Sequence, residues 1–297
     1  ITIEKKMGES ALIPLTLFKN QTFARTQILG FIIGIGMFGG MIVLPLIIQI
    51  IYGVSPTMVG FMMLPMVVGM MSATITAGRV TSKTGKYRIF FNTGTATLTI
   101  GYLYMVLLMR ADTPLWVLAI GMVLIGMGLG QLMQTTMVAS QNAVEAKDIG
   151  VATSSATFFR QMGGTFGVAI FMSILFSQVV DKIQAAFETT AVKNGFASAL
   201  QDPQVLENQA NAGILEILKS GPSGAEGITS DSSFLIGADE RLTLPFRIGF
   251  VESSLTVFML AAVIIAVAFV ISWFIKEIPL REKSASQEAA EAAAAAH

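Results

Sequence analysis

The sequence has no cysteine and one histidine, His297, its last residue. The first absence removes disulfide frameworks, CxxC redox pairs and thiolate metal sites. The second removes histidine catalysis and most zinc chemistry. Charge is scarce too: 13% of the 297 residues are Asp, Glu, Lys or Arg, about half of the roughly 25% usual in soluble domains. The 19 bases balance the 19 acids, so a global basic field for nucleic acid is absent. A membrane enzyme would need His, Asp or Cys clustered at an interface, and an ion channel a symmetric pore with a filter-like loop. The sequence offers neither, and no enzyme, cofactor or metal is expected.

Apolar residues are abundant instead, at 53% of the chain with a mean hydropathy of +0.69. A soluble fold could not hide so much apolar surface, whereas lipid need not exclude it. A spanning helix needs about 20 largely apolar residues, and six segments qualify: about Thr26–Tyr52, Pro56–Ala77, Ile89–Met109, Pro114–Val138, Val151–Phe176 and Ile248–Ile275. The runs are continuous rather than alternating, so helices, not barrel strands, satisfy the backbone in lipid. The expected organisation is a lead-in at 1–25, five spans within 26–176, a long loop at 177–247, a sixth span within 248–278 and a tail at 279–297. Ile1 is not a start residue, and Glu288–His297 reads as a linker with the stub of a tag. The expectation is that the chain begins inside a longer protein.

Basic residues set the orientation. Lys5, Lys6, Lys19 and Arg25 precede the first span, and Arg79, Lys83, Lys86 and Arg88 crowd the connection between the second and third. Lys147 follows the fourth, and Lys276, Arg281 and Lys283 follow the sixth. The connections between the first and second spans and between the third and fourth carry little charge. Both termini are therefore expected in the cytoplasm. The 177–247 connection is then external, with the fifth helix continuing outward and a second short helix near Pro203–Leu218, broken by Gly221-Pro222-Ser223-Gly224. It reads as a solvated connector or as a lid over an exit path.

The connection Gly78-Arg79-Val80-Thr81-Ser82-Lys83-Thr84-Gly85-Lys86-Tyr87-Arg88 has glycines bracketing a tight reversal. It resembles the second copy of the major facilitator superfamily's loop motif G-x-x-x-D-R-x-G-R-R. Ser82 stands where that motif has Asp and Lys83 where it has Arg, which weakens a charge-relay role. The run from Gly150 through Phe159-Arg160-Gln161 to Gly163-Gly164 and Gly167 is similar to the penultimate helix of 14-helix drug:proton antiporters of the EmrB/QacA type. So are the lead-in Glu9…Ile13-Pro14-Leu15 to Asn20, Pro45 and Gln49, and Gly126-Met127-Gly128-Leu129-Gly130-Gln131. The resemblance covers most of residues 9–278. It implies an all-α integral membrane protein, a six-helix bundle forming the C-terminal half of a major facilitator fold from two inverted three-helix repeats. It further implies proton-coupled antiport of hydrophobic or cationic drugs by alternating access in a bacterial cell membrane, with membrane lipid, protons and the missing N-terminal half as partners. Other readings are a lipid or siderophore exporter on the same fold and a non-transporting scaffold or sensor.

Arg160 is the most informative residue. It lies about ten residues, roughly 15 Å, into its helix, where a guanidinium costs at least about 2.5–3.5 kcal/mol unless it meets water or a partner. It either faces a central cavity or bonds to amides or carbonyls of the fourth helix near Gln134 or Gln141. On that fourth helix Gln131, Gln134 and Thr135 fall on one face at i, i+3, i+4 spacing, as a cavity wall or as polar glue. By the resemblance, Met37, Gln49, Met66 and Met70 also face substrate, and flexible Met suits varied shapes. Most of the 18 methionines read equally as packing or lipid-facing residues. Glu252, about one turn into the sixth span, is a candidate proton site or an interface residue near Arg247. No acid lies clearly inside the first five spans, so the resemblance assigns the main protonation sites to the other half.

Overall fold

The computed structural model describes residues 15–219, 235–275 and 277–278. Among these, α1 is Gln21–Tyr52, α2 Pro56–Met62, α3 Leu64–Thr84, α4 Arg88–Leu108, α5 Leu115–Asn142 and α6 Ile149–Glu188. The shorter α7 (Thr190–Leu200), α8 (Pro203–Glu207) and α9 (Ala212–Lys219) follow, and α10 is Glu240–Ser272. Five helical stretches are long and apolar enough to cross a membrane: α1, α2 with α3, α5, α6 and α10. The third expected span, α4, is not among them. It carries Asn92 and threonines at 93, 95, 97 and 99. Thr93, Thr95 and Thr99 donate to carbonyls four residues back in their own helix, which satisfies hydroxyls that would otherwise be costly in an apolar setting.

Helix ends differ from the apolar runs because caps and tertiary contacts, not hydropathy, set them. The Asn20 side chain accepts from the amides of Thr22 and Phe23, so α1 starts five residues before Thr26. The second span breaks at Met63, with Pro65 opening α3, and continues past Ala77 to Thr84. The expected loop at 78–88 is therefore mostly helix, and the reversal is only Gly85–Tyr87, with Gly85 left-handed at φ 72°. α10 starts at Glu240, capped by the Asp239 side chain, rather than at Ile248, and it runs through Pro245.

In the long connection α6 continues to Glu188, and the single helix expected near Pro203–Leu218 is two helices separated by a 3-10 turn at Gln209–Asn211. Asn211 is buried there, donating to the Val205 carbonyl and accepting from the Asp239 amide. Val205, Ile214 and Phe196 pack with Phe246 and Phe250 of α10 in a folded cap. The expected breaker at 221–224, the lead-in at 1–14 and the tail at 279–297 lie outside the described residues.

The bundle has a repeating pairing. α1 packs along α6 as α5 packs along α3, and α10 lies against α1 as α4 lies against α5. Glycine permits both close pairs. A methyl at Gly34 would overlap the Arg160 carbonyl, and one at Gly163 the Phe31 carbonyl; Gly126 and Gly130 stand in the same relation to Met66 and Met70. The Gly34-Ile35-Gly36 and Gly126-Met127-Gly128 triplets act alike, their second glycine meeting Ile265 of α10 and Leu98 of α4 respectively. One end of the bundle gathers the starts of α1, α4 and α6 with the ends of α3, α5 and α10, and with them Lys19, Arg25, Lys83, Lys86, Arg88 and Lys147. The cap covers the other end.

Candidate functional site

A groove of about 380 Å³ opens where α3, α5 and α6 meet. Met70, Met71, Thr74 and Ile75 come from α3, Met133, Gln134 and Met137 from α5, and Arg160 from α6. Counting 1.5 Å per residue from the helix ends at Thr84, Asn142 and Ile149, the lining residues lie about 8–21 Å from the basic end, with Arg160 at about 17 Å. That is near the middle of a roughly 30 Å hydrocarbon layer.

Arg160 is half-buried, and among the described residues its guanidinium has no hydrogen-bond or ion-pair partner. Of the two alternatives for Arg160, the bond to α5 is not made among the described residues. Gln134 shares the groove without bonding Arg160, while the Gln141 amide donates to Thr153. Thr74 donates to the Met70 and Gly130 carbonyls, fixing the α3 wall against α5. Among the described residues no Asp or Glu lines the groove, and their one fixed charge there is that of Arg160.

The structure divides the residues expected on the substrate path. Met70, Gln134 and Arg160 come together in the groove. Met37 and Met66 are 5% and 4% exposed and belong to the apolar core. Gln131 turns the other way and accepts from Thr93 of α4 at 2.6 Å, so it does not share the Gln134 face. Thr135 is buried and donates to the Gln131 carbonyl of its own helix. Gln49 is half-buried on α1, outside the groove. Met71, Thr74, Ile75, Met133 and Met137 are wall residues that helical spacing alone did not single out, since only the register of α3 on α5 brings them together.

The residues of the expected loop motif are spread over a helix end, a turn and a helix start. Gly78, Arg79 and Lys83 sit in the last turns of α3, Gly85 caps it, Lys86 is exposed and Arg88 opens α4. The Ser82 hydroxyl bonds, among the described residues, to the Gly78 and Arg79 carbonyls of its own helix. Arg88 donates to the Trp273 carbonyl, and Arg25 to that of Phe274. Glu252 is three turns into α10 rather than one, because α10 begins at Glu240. Its partner is Lys182 of α6, at 3.3 Å. Arg247 instead pairs with Glu240 and donates to the Ala111 carbonyl.

Comparison with known proteins agrees with this apolar, glycine-packed helical bundle. The model of the Major Facilitator Superfamily matches residues 3–189. A "Tetracycline resistance determinant" of Streptomyces rimosus is 29% identical over 97% of the chain and 81% of its own length. "Multidrug transporter protein MdtP" of Bacillus subtilis is 31% identical over 97% of the chain but 52% of its own length. The "Uncharacterized MFS-type transporter Rv1877" of Mycobacterium tuberculosis is 28% identical over 92% of the chain and 35% of its own length. The chain thus spans about half or less of the latter two relatives. With the family model matching well over half of its residues, this chain of long apolar helices belongs to the major facilitator superfamily, whose members are membrane transporters.

Proposed function

We propose that the chain is the C-terminal half of a proton-coupled drug exporter of the 14-helix EmrB/QacA type, a six-helix unit in which α4 also spans the membrane, and that the methionine-lined groove is this half's wall of the substrate path. The observation that carries the reading is Arg160. A guanidinium at mid-depth without a partner among the described residues cannot face lipid without a cost of at least about 2.5–3.5 kcal/mol. The α3–α6 face therefore abuts water or more protein. The groove there is otherwise mostly apolar, with Met71 and Ile75 on the α3 side and Met133 and Met137 on the α5 side. A second bundle closing over it would turn the groove into a central cavity.

Export of drugs is supported by the printed names of the Streptomyces and Bacillus relatives. Four methionines in one groove suit ligands of varied shape. The lone positive charge favours substrates with an acceptor or anionic group beside an apolar body, so acids that bind cationic drugs or protons must come from the other half. The repeated pairing of helices supports two inverted three-helix units. The gathering of bases at one end supports placing that end, with both termini, in the cytoplasm. Rocking of glycine-packed pairs about the groove is the expected route of alternating access. The test is efflux by the full-length protein carrying Arg160→Ala: transport is expected to fall at least tenfold with unchanged protein in the membrane. Wild-type efflux would overturn the assignment.

A further inference from the structure

We propose that a second groove, between α4, α6 and α10 at the capped end, binds the headgroup of a phospholipid with a primary amine. This groove encloses about 700 Å³ and lies away from the Arg160 face. Its lining combines two bases, Arg110 and Lys182, with two acids, Asp112 and Glu252. Lys182 and Glu252 form an ion pair across α6 and α10 at 3.3 Å, while Arg110 and Asp112 are exposed on the short connection after α4. The remaining wall is apolar, including Val106 of α4 and Leu255 of α10.

Charge of both signs beside an apolar wall matches a zwitterionic amphiphile. The bases suit a phosphate and the acids an ammonium with N–H donors. Among the described residues no aromatic ring lines the groove, so they offer none of the cation–π contacts that favour a quaternary ammonium. With two charges of each sign the lining carries no net positive field to select an anionic headgroup. The apolar surface continues in the direction an acyl chain would take. Met259, Val263 and Val267 follow Leu255 at four-residue steps along α10, each 44–53% exposed, and Leu103 and Leu107 are exposed on α4. From Leu255 to Val263 the stripe is about 12 Å long, most of the roughly 15 Å half-thickness of the hydrocarbon layer. A soluble zwitterion would have no use for this track, which commits the site to a lipid.

The test uses the full-length protein in detergent micelles doped with phosphatidylethanolamine, its N-methylated forms, phosphatidylcholine or phosphatidylglycerol, with bound lipid counted by native mass spectrometry. Retention should fall stepwise with N-methylation, by roughly tenfold from the primary to the quaternary amine, the equivalent of one charge-assisted hydrogen bond. In Asp112→Asn/Glu252→Gln the preference should vanish while the lipid-free melting temperature stays near wild type. Equal retention of all four lipid types, or a preference unchanged in a folded double variant, would overturn the proposal. The methylation series needs no variant, so it decides the matter even if the double variant does not fold.

Discussion

The Arg88 guanidinium at the start of α4 donates to the Trp273 carbonyl at the end of α10, at 2.7 Å and across 185 residues of sequence. Arg25 from α1 does the same for Phe274, at 2.9 Å. Two cations thus hold carbonyls that the end of α10 leaves unpaired, where the helix dipole also favours positive charge. The basic residues at this end do more than set orientation. They join three helices.

Arg88→Ala is expected to lower stability by about 1–2 kcal/mol, the net worth of a charge-assisted hydrogen bond at a partly exposed site. Arg88→Lys should recover part of it, since lysine keeps the charge but loses the planar fork. Thermal unfolding in detergent measures both. An Arg88→Ala melting curve that overlays the wild type would mean the contact contributes nothing.

Glycine packing makes a sharper prediction. Gly126→Ala and Gly163→Ala each drive a methyl into the backbone carbonyl of the facing helix, and overpacking of this kind costs about 1–3 kcal/mol. Gly60→Ala meets nothing within 4 Å and should be neutral, or stabilising by up to about 1 kcal/mol through the helix preference of alanine. Melting temperatures of the three variants compare the cases directly. Equal behaviour at positions 60, 126 and 163 would contradict the close pairs.

The cap should respond to acid. Arg241 bonds Asp239 and Asp202 and holds the Asp239 carboxyl below its ordinary value of 3.8. A depressed folded pKa contributes stability that is complete above the unfolded value and is lost as pH falls through the folded one. The 203–219 segment should therefore keep its amide protection down to about pH 4 and lose it below. Asp239→Asn should weaken protection at neutral pH and flatten this dependence. Asn211→Ala, which strands the Val205 carbonyl and the Asp239 amide, should expose the same amides at all pH while leaving α5 protected. Hydrogen exchange corrected for intrinsic rates reads each outcome.

Much of the bundle was legible because lipid-compatible helices must be long, continuous and apolar. The ends were not, because Asn20 and Asp239 set them by capping and no hydropathy pattern marks a cap. Gln131 and Gln134 show the limit at the site. They are three residues apart, close enough to be assigned one face, yet α5 is packed on two sides and each side takes one of them. Met37 and Met66 look like Met70 in sequence. Only the glycine-set register of α1 on α6 and α3 on α5 decides that two face the core and one faces the groove. Arg160 was the exception, since a charge in an apolar run announces itself at any register.

The central claim is that the Arg160 face is a wet transport path rather than a lipid face. The chain contains no cysteine, so Met71→Cys, Met137→Cys and, as a lipid-facing reference, Val267→Cys each supply the only thiol in these residues. We would measure labelling by a membrane-impermeant, water-soluble maleimide in inverted and right-side-out vesicles, with and without transported drug. The account predicts that Met71→Cys and Met137→Cys react, that drug slows them, and that Val267→Cys stays inert. Groove thiols as unreactive as the one at 267 in both vesicle types would contradict it.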